Sequence, residues 1–563
     1  MTDNNDSMAF PAISVRWYWF FALAVCALAV FFELGRMDVW SDNEGQRTAP
    51  PLEMLRSGDW VVPTLNGQTY LKKPPLLYWT IAGVYELAGD ATPFLARTPV
   101  ALSAMALSLA LYLFVRRNGG ESAARWAALM AFATPYALER MRLAELDIPL
   151  TTMTFLAIVA LNGAMRAPGW IRALALAAEA GAFMGAAVML KAPACVPAIG
   201  AAWGVHILLT GEDVDAKVRK GIKWSLIALG VGAVLWAISM GFGLYVYKHL
   251  GPDPTEMPTG TAYSMYKFFG TPVGLGMAGL AWAVLVFQAG GRRLPRFILL
   301  GVVMAVVACA AIAPWCLAVY RREGWPYLAA LMQAEIVDRT RAATVINSGS
   351  PFFYVLALPF MLAPWGFLLP FQCAKSEWDR HDYLYRFGLL TGWLTVLAFS
   401  LVAGKEYEYI LPGVTLLLIP TAYHLAEFRQ SAAPWIERWR THWLHGFSMV
   451  FTVAAVGLPI YILVDNPRVA LVAESVVFAV AAVFFAVRFR KTSGRKLEWF
   501  FALFLCILMM GMLSRNFHYT GKRSPRELAE RTGEMLRAGY AVESMQVSRS
   551  EEHTSELQSL RHL

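Results

Sequence analysis

The strongest constraint on this chain is a series of apolar blocks, each about as long as a bilayer is thick. A helix needs roughly 20 apolar residues to cross the hydrocarbon core. Inside that core every backbone N–H and C=O must be paired within its own segment, so the blocks are expected to be helices. Only 16% of the 563 residues are charged and 57% are hydrophobic, whereas a soluble domain carries roughly a quarter charged residues. The sequence therefore predicts an all-α polytopic membrane protein, with no nucleic-acid partner.

The length of the apolar blocks predicts about fifteen transmembrane helices. The predicted spans are residues 15–35, 92–115, 122–139, 148–165, 171–190, 192–210, 222–247, 272–290, 296–320, 352–371, 386–403, 408–425, 444–464, 469–487 and 498–514. We expect residues 1–514 to form the transmembrane domain and residues 515–546 a small C-terminal segment. Residues 547–563 change abruptly to a Ser/Glu-rich composition typical of a non-native tail. In that case a larger C-terminal domain would be missing.

The basic residues in short loops predict the orientation of the chain. Cytoplasmic loops are enriched in Lys and Arg, and four basic loops fall on one side if the N-terminus is cytoplasmic. Their members are Arg116, Arg117, Arg125, Lys217, Arg219, Lys220, Lys223, Arg292, Arg293, Arg296, Arg488, Arg490, Lys491, Arg495 and Lys496. The long loops, among them 36–91 and 321–351, and the C-terminus would then lie outside.

Acidic residues open the first long loop, just past the first span. Glu44 and Arg47 are three residues apart and would share one face of a helical turn. A group transferase needs a base that takes the proton of the acceptor, and partial desolvation can raise the basicity of a carboxylate. We predict Glu44 as this base, with Asp42 as the alternative acid. The competing interpretation is an ordinary cap at the start of a short helix.

The same loop continues into two lysines beside an apolar, aromatic segment. Lys72 and Lys73 precede Pro74 and a run that is too short to span a membrane but suits an interfacial helix. Ammonium groups would hold a phosphate while the aromatic rings contact a lipid tail. The predicted acceptor or lipid contacts are Tyr70, Tyr78, Trp79 and Tyr407. Alternatively, the lysines only anchor the loop to lipid headgroups.

Further charged residues are predicted on the outer side. Asp147 directly precedes a span, so it could be a second acid or simply a helix cap with Pro149 in the first turn. Together with Arg47, three more cations would contact a substrate phosphate: Lys191, Arg339 and Lys405. Singly each is an ordinary interfacial charge. Together they exceed what the positive-inside rule predicts for this side, and an anionic substrate would explain the excess.

A long motif in the first loop resembles the bacterial aminoarabinose-transferase family, relatives of protein O-mannosyltransferases with the GT-C fold. The matching residues are Glu53-Met54-Leu55, Ser57-Gly58-Asp59-Trp60, Pro63, Asn66-Gly67, Tyr70-Leu71, Lys73-Pro74-Pro75-Leu76 and Trp79. Weaker matches continue along most of the chain, including Leu146-Asp147, Leu190-Lys191 and Gly404-Lys405.

The resemblance implies an enzyme of the bacterial inner membrane with a periplasmic active site. Its donor would be an undecaprenyl-phosphate-linked sugar, 4-amino-4-deoxy-L-arabinose or a related one, transferred with inversion. The acceptor would be lipid A or another envelope glycan or protein. In an alignment without gaps from Glu53-Met54, the Asp that the family has in its first loop falls on Asn43. When this alignment is shifted by one residue, Glu44 and Arg47 have the spacing of the family's acid and Arg. Lys72 stands where the family has Glu. No cofactor is firmly implied, and a divalent metal is left open.

Two other functions compete with this one. A relative of the protein O-mannosyltransferases would use a protein hydroxyl as its acceptor. A lipid-linked sugar flippase or transporter would move the same donor without forming a covalent product. Transporters often show repeated halves and helices broken near the bilayer midplane, and the sequence shows no convincing internal repeat.

Overall fold

The computed structural model describes nine of the fifteen predicted spans wholly or nearly so, and part of the first, 15–35. The described residues are most of 24–36, residue 39, 42–70, 73–132, 134–191, 193–210, single positions between 279 and 289, 293–332, 352–363, 365–402 and 404–426. Several predictions lie outside them. These are the spans 222–247, 444–464, 469–487 and 498–514, nearly all of 272–290, the segments 515–546 and 547–563, and the residues Lys72 and Arg339.

Helices dominate the described part of the chain. The α-helices are α1 (Asp42–Ser57), α2 (Leu76–Ala88), α3 (Pro93–Gly119), α4 (Glu121–Phe132), α5 (Pro135–Met141), α6 (Asp147–Arg166), α7 (Trp170–Leu190), α8 (Val196–Leu209), α9 (Leu294–Met332), α10 (Phe353–Met361), α11 (Leu369–Gln372), α12 (Lys375–Arg380), α13 (Tyr383–Leu401) and α14 (Leu411–Ala426). Two 3-10 turns, Trp365–Leu368 and Tyr407–Ile410, precede α11 and α14, and two short strands are β1 (Thr64–Leu65) and β2 (Gln68–Thr69).

Six of the described helices are long and apolar enough to cross a membrane. They are α3, α6, α7, α9, α13 and Tyr407–Ala426, the last combining a 3-10 turn with α14. These helices match the predicted spans 92–115, 148–165, 171–190, 296–320, 386–403 and 408–425. The chain is therefore a multi-span membrane protein, as the apolar blocks predicted.

Three other predicted spans are shorter or broken. Residues 122–139 were expected to form one helix, but α4 ends at Phe132 and α5 begins at Pro135. Proline disfavours helical backbone at the residue before it and suits the first turn of a new helix. The predicted span 352–371 is likewise divided, because α10 ends at Met361 and a 3-10 turn follows. In the third, residues 192–210, the helix α8 has only 14 residues.

Residues 321–332, at the start of the predicted outer loop 321–351, are helical. Helix α9 continues through residues 321–332, with a kink at Gly324, whose φ is 76°. Glycine adopts this left-handed conformation without the steric cost that a Cβ atom brings. The hydrophobic pattern ended at residue 320 and did not indicate this helical stretch. The placement of residues 321–351 outside the membrane stays a prediction. Residues 333–351 lie outside the described part.

Helices α7 and α9 pack closely because α7 presents glycines to its neighbour. A Cβ atom at Gly181 would lie 2.5 Å from the carbonyl oxygen of Met304, and one at Gly185 would lie 2.8 Å from the Cβ of Ala311. Small residues four apart allow two membrane helices to approach in this way. This contact brings α9 against the helix whose C-terminal end leads to Lys191.

The first loop is folded rather than extended, and it is not purely helical. Strands β1 and β2 form a hairpin whose two turn residues, Asn66 and Gly67, both have positive φ, 56° and 73°. Two consecutive positive φ values are typical of the tight hairpin turns that Asn-Gly favours. The all-α prediction therefore missed this hairpin. The Asn-Gly pair was the local signal for it.

One indole hydrogen bond joins the first loop to helix α9, and a second braces the loop internally. Trp315 in α9 donates from Nε1 to the carbonyl oxygen of Val61 at 3.0 Å, and Trp79 in α2 donates to that of Trp60 at 2.7 Å. Arg322 adds an ion pair with Asp59 at 2.5 Å. The predicted interfacial segment is the short apolar helix α2. The contacts of Val61 and Asp59 hold the preceding part of the loop against α9.

Candidate functional site

Three carboxylates meet where two transmembrane helices begin. Glu145 lies just before α6, Asp147 is its first residue, and Glu408 lies in the 3-10 turn that leads into α14. One oxygen atom from each carboxylate lies within 4.8 Å of those of the other two. The positive end of a helix dipole stabilises an acidic group in this position. We call Glu145, Asp147 and Glu408 the carboxylate cluster.

Two cations contact the carboxylate cluster directly. Lys191 Nζ lies 2.7 Å from Asp147 Oδ1 and 4.8 Å from the centroid of the Tyr409 ring. Arg140 Nη1 lies 2.5 Å from Glu145 Oε2 and 3.2 Å from Glu408 Oε1. Buried carboxylates need such partners because isolated charges are costly in a medium of low dielectric. The predicted pair of outer-side charges, Asp147 and Lys191, is thus brought together.

One oxygen of the cluster keeps its acceptor capacity. Glu408 Oε2 is a buried atom without a hydrogen-bond partner among the described residues. Burial raises the pKa of Glu145; Arg140 opposes this shift, and the charge of Asp147 adds to it. Lys73, whose side chain is 5% exposed, also acts electrostatically on Asp147. The cluster therefore combines a proton acceptor with cations from three segments of the chain.

The oxygen atoms of the cluster are donors that Mg²⁺, Mn²⁺ or Ca²⁺ would accept. If a divalent metal binds, Glu145, Asp147 and Glu408 would hold it, and it would supply Lewis-acid stabilisation of an oxyanion. Arg140 and Lys191 already give these carboxylates positive partners. These two cations partly balance the three carboxylates, and a divalent metal is left open.

Glu44, the predicted base, is held in a buried ion pair. Its two oxygens accept hydrogen bonds from Arg97 Nε at 2.7 Å and Nη2 at 2.9 Å, and Oε1 also accepts from the N–H of Ala144 at 3.0 Å. Glu44 is 0% exposed and Arg97 is 2% exposed. A base must reach the proton that it removes. The role of Glu44 as base stays a prediction that this arrangement does not favour.

Arg47, predicted to bind phosphate, is buried beside two predicted aromatic contacts. It is 7% exposed, and its Nη1 donates to the hydroxyl oxygens of Tyr70 and Tyr78, both at 3.1 Å, and to the carbonyl oxygen of Gln46 at 3.3 Å. Tyr70 in turn donates to Gln46 Oε1 at 2.7 Å. Among the residues that the structure describes, no carboxylate contacts Arg47. A buried guanidinium with only neutral partners favours an anionic ligand.

Lys405 was predicted to contact a phosphate. The structure buries it just beyond the end of α13. Its Nζ donates to the carbonyl oxygens of Phe399 at 3.1 Å and Ser400 at 2.7 Å, and lies 5.1 Å from the centroid of the Tyr354 ring. A cation here satisfies the last carbonyls of the helix and its dipole. The geometry favours a capping role for Lys405, and phosphate binding by this residue stays untested.

The burial of Lys405 predicts how the thermal stability of the protein depends on pH. Burial lowers the pKa of Lys405 to about 8, from an ordinary value of 10.5. Between these values the unfolded chain binds more protons than the folded one, so Lys405 makes folding more favourable as pH rises. We compare the melting temperature of the wild type with that of Lys405→Met. As pH rises from 8 to 10.5, we expect the wild type to gain about 2–4 °C relative to the variant. Thermal unfolding in detergent measures this difference, and parallel pH profiles of the two proteins would contradict it.

The remaining predicted residues are placed as follows. Trp79 donates its indole N–H to Trp60, which braces the loop, and its predicted contact with acceptor or lipid stays a prediction. The ring of Tyr407 is 45% exposed and lies 4.9 Å from that of Phe353. Asp42 begins α1, but its side chain lies outside the described set, as do Lys72 and Arg339.

Four charged residues of this region were missed as site residues. Arg140 and Glu145 lie close to Asp147 in the sequence and Glu408 lies close to Lys405, but their spacing gave no sign that they would meet. Arg97 carried a signal of its own. It is an arginine inside an apolar block, and ionisable residues within membrane helices usually have a specific partner.

Comparisons with known proteins agree with this architecture. Residues 72–239 match the family model described as dolichyl-phosphate-mannose-protein mannosyltransferase. The chain is 26% identical over 438 residues to the undecaprenyl phosphate-alpha-4-amino-4-deoxy-L-arabinose arabinosyl transferase of Aeromonas salmonicida. It is also 26% identical over 509 residues to the undecaprenyl phosphate-alpha-4-amino-4-deoxy-L-arabinose arabinosyl transferase 1 of Sodalis glossinidius. These matches cover 73% and 86% of the chain, and 62% and 74% of the relatives.

The fold has a solved counterpart. ArnT from Cupriavidus metallidurans, crystallised bound to undecaprenyl phosphate, superposes with a TM-score of 0.61 at 18% identity. The superposition covers 93% of this chain and 81% of that one. At this identity the likeness concerns the fold. The chain thus has the GT-C fold of ArnT, and the predicted resemblance to the bacterial aminoarabinose transferases, relatives of the protein mannosyltransferases, is confirmed.

Proposed function

We propose that this protein is an inverting glycosyltransferase that moves a monosaccharide from undecaprenyl phosphate to an acceptor at the periplasmic face of the bacterial inner membrane. The sugar is 4-amino-4-deoxy-L-arabinose or a related one, and the acceptor is lipid A or another envelope glycan. The N-terminus would be cytoplasmic and the C-terminus periplasmic. The aminoarabinose transferases named above support the donor and the acceptor.

The observation that carries the proposal is the carboxylate cluster beside Lys73 and Lys191. A transfer of this kind needs a base for the acceptor and positive charge for the departing phosphate. Lys191, at the end of α7, is paired with Asp147 at 2.7 Å, and Lys73, from the first loop, acts electrostatically on the same carboxylate. Arg47 adds a buried guanidinium whose described partners are neutral.

The proposed step is a direct displacement at the anomeric carbon. The acceptor oxygen forms a bond to this carbon as the bond from carbon to phosphate oxygen breaks, and undecaprenyl phosphate leaves with the bonding electrons. Glu408 Oε2 takes the proton of the acceptor, because this oxygen has no described hydrogen-bond partner. Asp147, held by Lys191, orients the acceptor. Lys73 and Arg47 stabilise the charge that develops on the phosphate.

The test is transfer by the purified full chain in detergent or liposomes. Undecaprenyl-phosphate-linked aminoarabinose and lipid A are supplied, and mass spectrometry follows the mass of the acceptor. A gain of one sugar residue with release of undecaprenyl phosphate supports the proposal. Donor that crosses liposomes without any covalent product would instead identify a flippase.

A protein acceptor is the second candidate, because residues 72–239 match the mannosyltransferase model. The same assay discriminates it when a mixture of periplasmic proteins replaces lipid A. Sugar incorporated into protein and not into lipid would favour this alternative.

A further inference from the structure

Glu44 connects three segments of the chain that are distant in sequence. Its carboxylate binds Arg97 of α3 through two hydrogen bonds and accepts a third from the N–H of Ala144. Arg97 Nη1 also donates to the carbonyl oxygen of Leu34 at 2.8 Å. The pair therefore joins the end of the first apolar block, helix α1, helix α3 and the turn before α6.

The turn held by Glu44 carries the carboxylate cluster. Ala144 immediately precedes Glu145, and the N–H of Glu145 donates to the carbonyl oxygen of Leu143 at 2.8 Å, which keeps the turn tight. Arg142 in the same turn donates to the carbonyl oxygen of Val30 at 3.1 Å. A displacement of Ala144 would therefore move Glu145 and the start of α6, where Asp147 lies.

Charge balance makes Glu44 and Arg97 dependent on each other. Removing one partner of a buried ion pair leaves an uncompensated charge, whereas replacing both by neutral groups is often tolerated. A catalytic base behaves differently, because its loss is not repaired by a change in a neighbour. The two roles of Glu44 can therefore be separated by substituting the partner as well.

We propose that Glu44 is a positioning residue that acts through Arg97 and the Ala144 N–H to place Glu145 and Asp147 in the active site. This role rests on the proposed glycosyltransferase function. It differs from the base role predicted for Glu44 from the sequence. It also gives Arg97, a buried arginine in a membrane helix, a defined part in the reaction.

The experiment compares Glu44→Gln, Arg97→Gln and the double variant in the sugar-transfer assay, as kcat and as its pH profile. We expect each single variant to lower kcat about tenfold. The double variant should recover several-fold relative to Glu44→Gln, because no buried charge is left without a partner. All three should keep the acid limb of the wild-type pH profile, because the proton acceptor is still present.

Matched controls keep the result interpretable. Glu121→Gln disrupts the exposed contacts of Glu121 with Arg116 and Arg125 and should leave kcat unchanged. Thermal unfolding in detergent shows whether each variant is folded, and Glu44→Asp retains the charge if Glu44→Gln is not. A double variant as inactive as Glu44→Gln, with the acid limb lost in both, overturns the positioning role alone. An inactive wild type overturns the proposed function.

Discussion

Glu408→Gln is expected to lower the rate of sugar transfer by about a thousandfold, the range of general base catalysis. The amide keeps the shape of the side chain but cannot accept a proton in the reaction. The acid limb of the wild-type pH profile should lie above 4.5, the ordinary pKa of a Glu carboxyl, because burial raises the pKa of Glu145 in the same cluster in spite of the opposing charge of Arg140. The protons of such a cluster titrate jointly. Initial rates from pH 4 to pH 9, at about unit intervals, measure both effects.

Glu406→Gln is the matched control, because Glu406 lies two residues earlier and its backbone, not its carboxylate, bonds Tyr354. We expect its rate to stay close to that of the wild type. If Glu408→Gln transfers sugar at the wild-type rate while both variants are folded, the base lies elsewhere. Asp147→Asn would then be the next variant to measure.

Arg47→Met is expected to raise the KM for the undecaprenyl-phosphate donor by about 100-fold. A charge-assisted hydrogen bond to a phosphate contributes about 1.5–3 kcal/mol, and a guanidinium can form two. The described partners of Arg47 are neutral oxygens, so its charge is available to an anionic ligand. Titration of donor at saturating acceptor measures KM, and binding of undecaprenyl phosphate alone measures affinity directly.

Arg56→Met provides the control on the same helix, because Arg56 is an exposed residue of α1. Its KM should not change. Arg47→Met also removes the hydrogen bonds to Tyr70, Tyr78 and Gln46, so the melting temperature is measured together with KM. A lower melting temperature with an unchanged KM would assign Arg47 to the support of Tyr70 and Tyr78 instead of to the donor.

Hydrophobic length determined the class of this protein and much of its helix pattern. Six predicted spans are helices that can cross a membrane, because in lipid an apolar segment of this length has no other way to pair its backbone. Where a proline or glycine broke or kinked a helix, the hydrophobic pattern did not predict the break or kink. The break before Pro135 and the kink at Gly324 are local features that average hydrophobicity does not record.

The sequence by itself determined the membrane class, the long spans, the family resemblance and the residue types at the site. Only the tertiary structure decided which charges meet. Glu44 faced Arg97 instead of solvent, and Asp147 met Lys191, Glu145 and Glu408. The physical reason is that pairing between buried charges depends on how helices pack, and the paired residues are 53 and 44 positions apart in the sequence. Spacing along the sequence carries no information about those contacts.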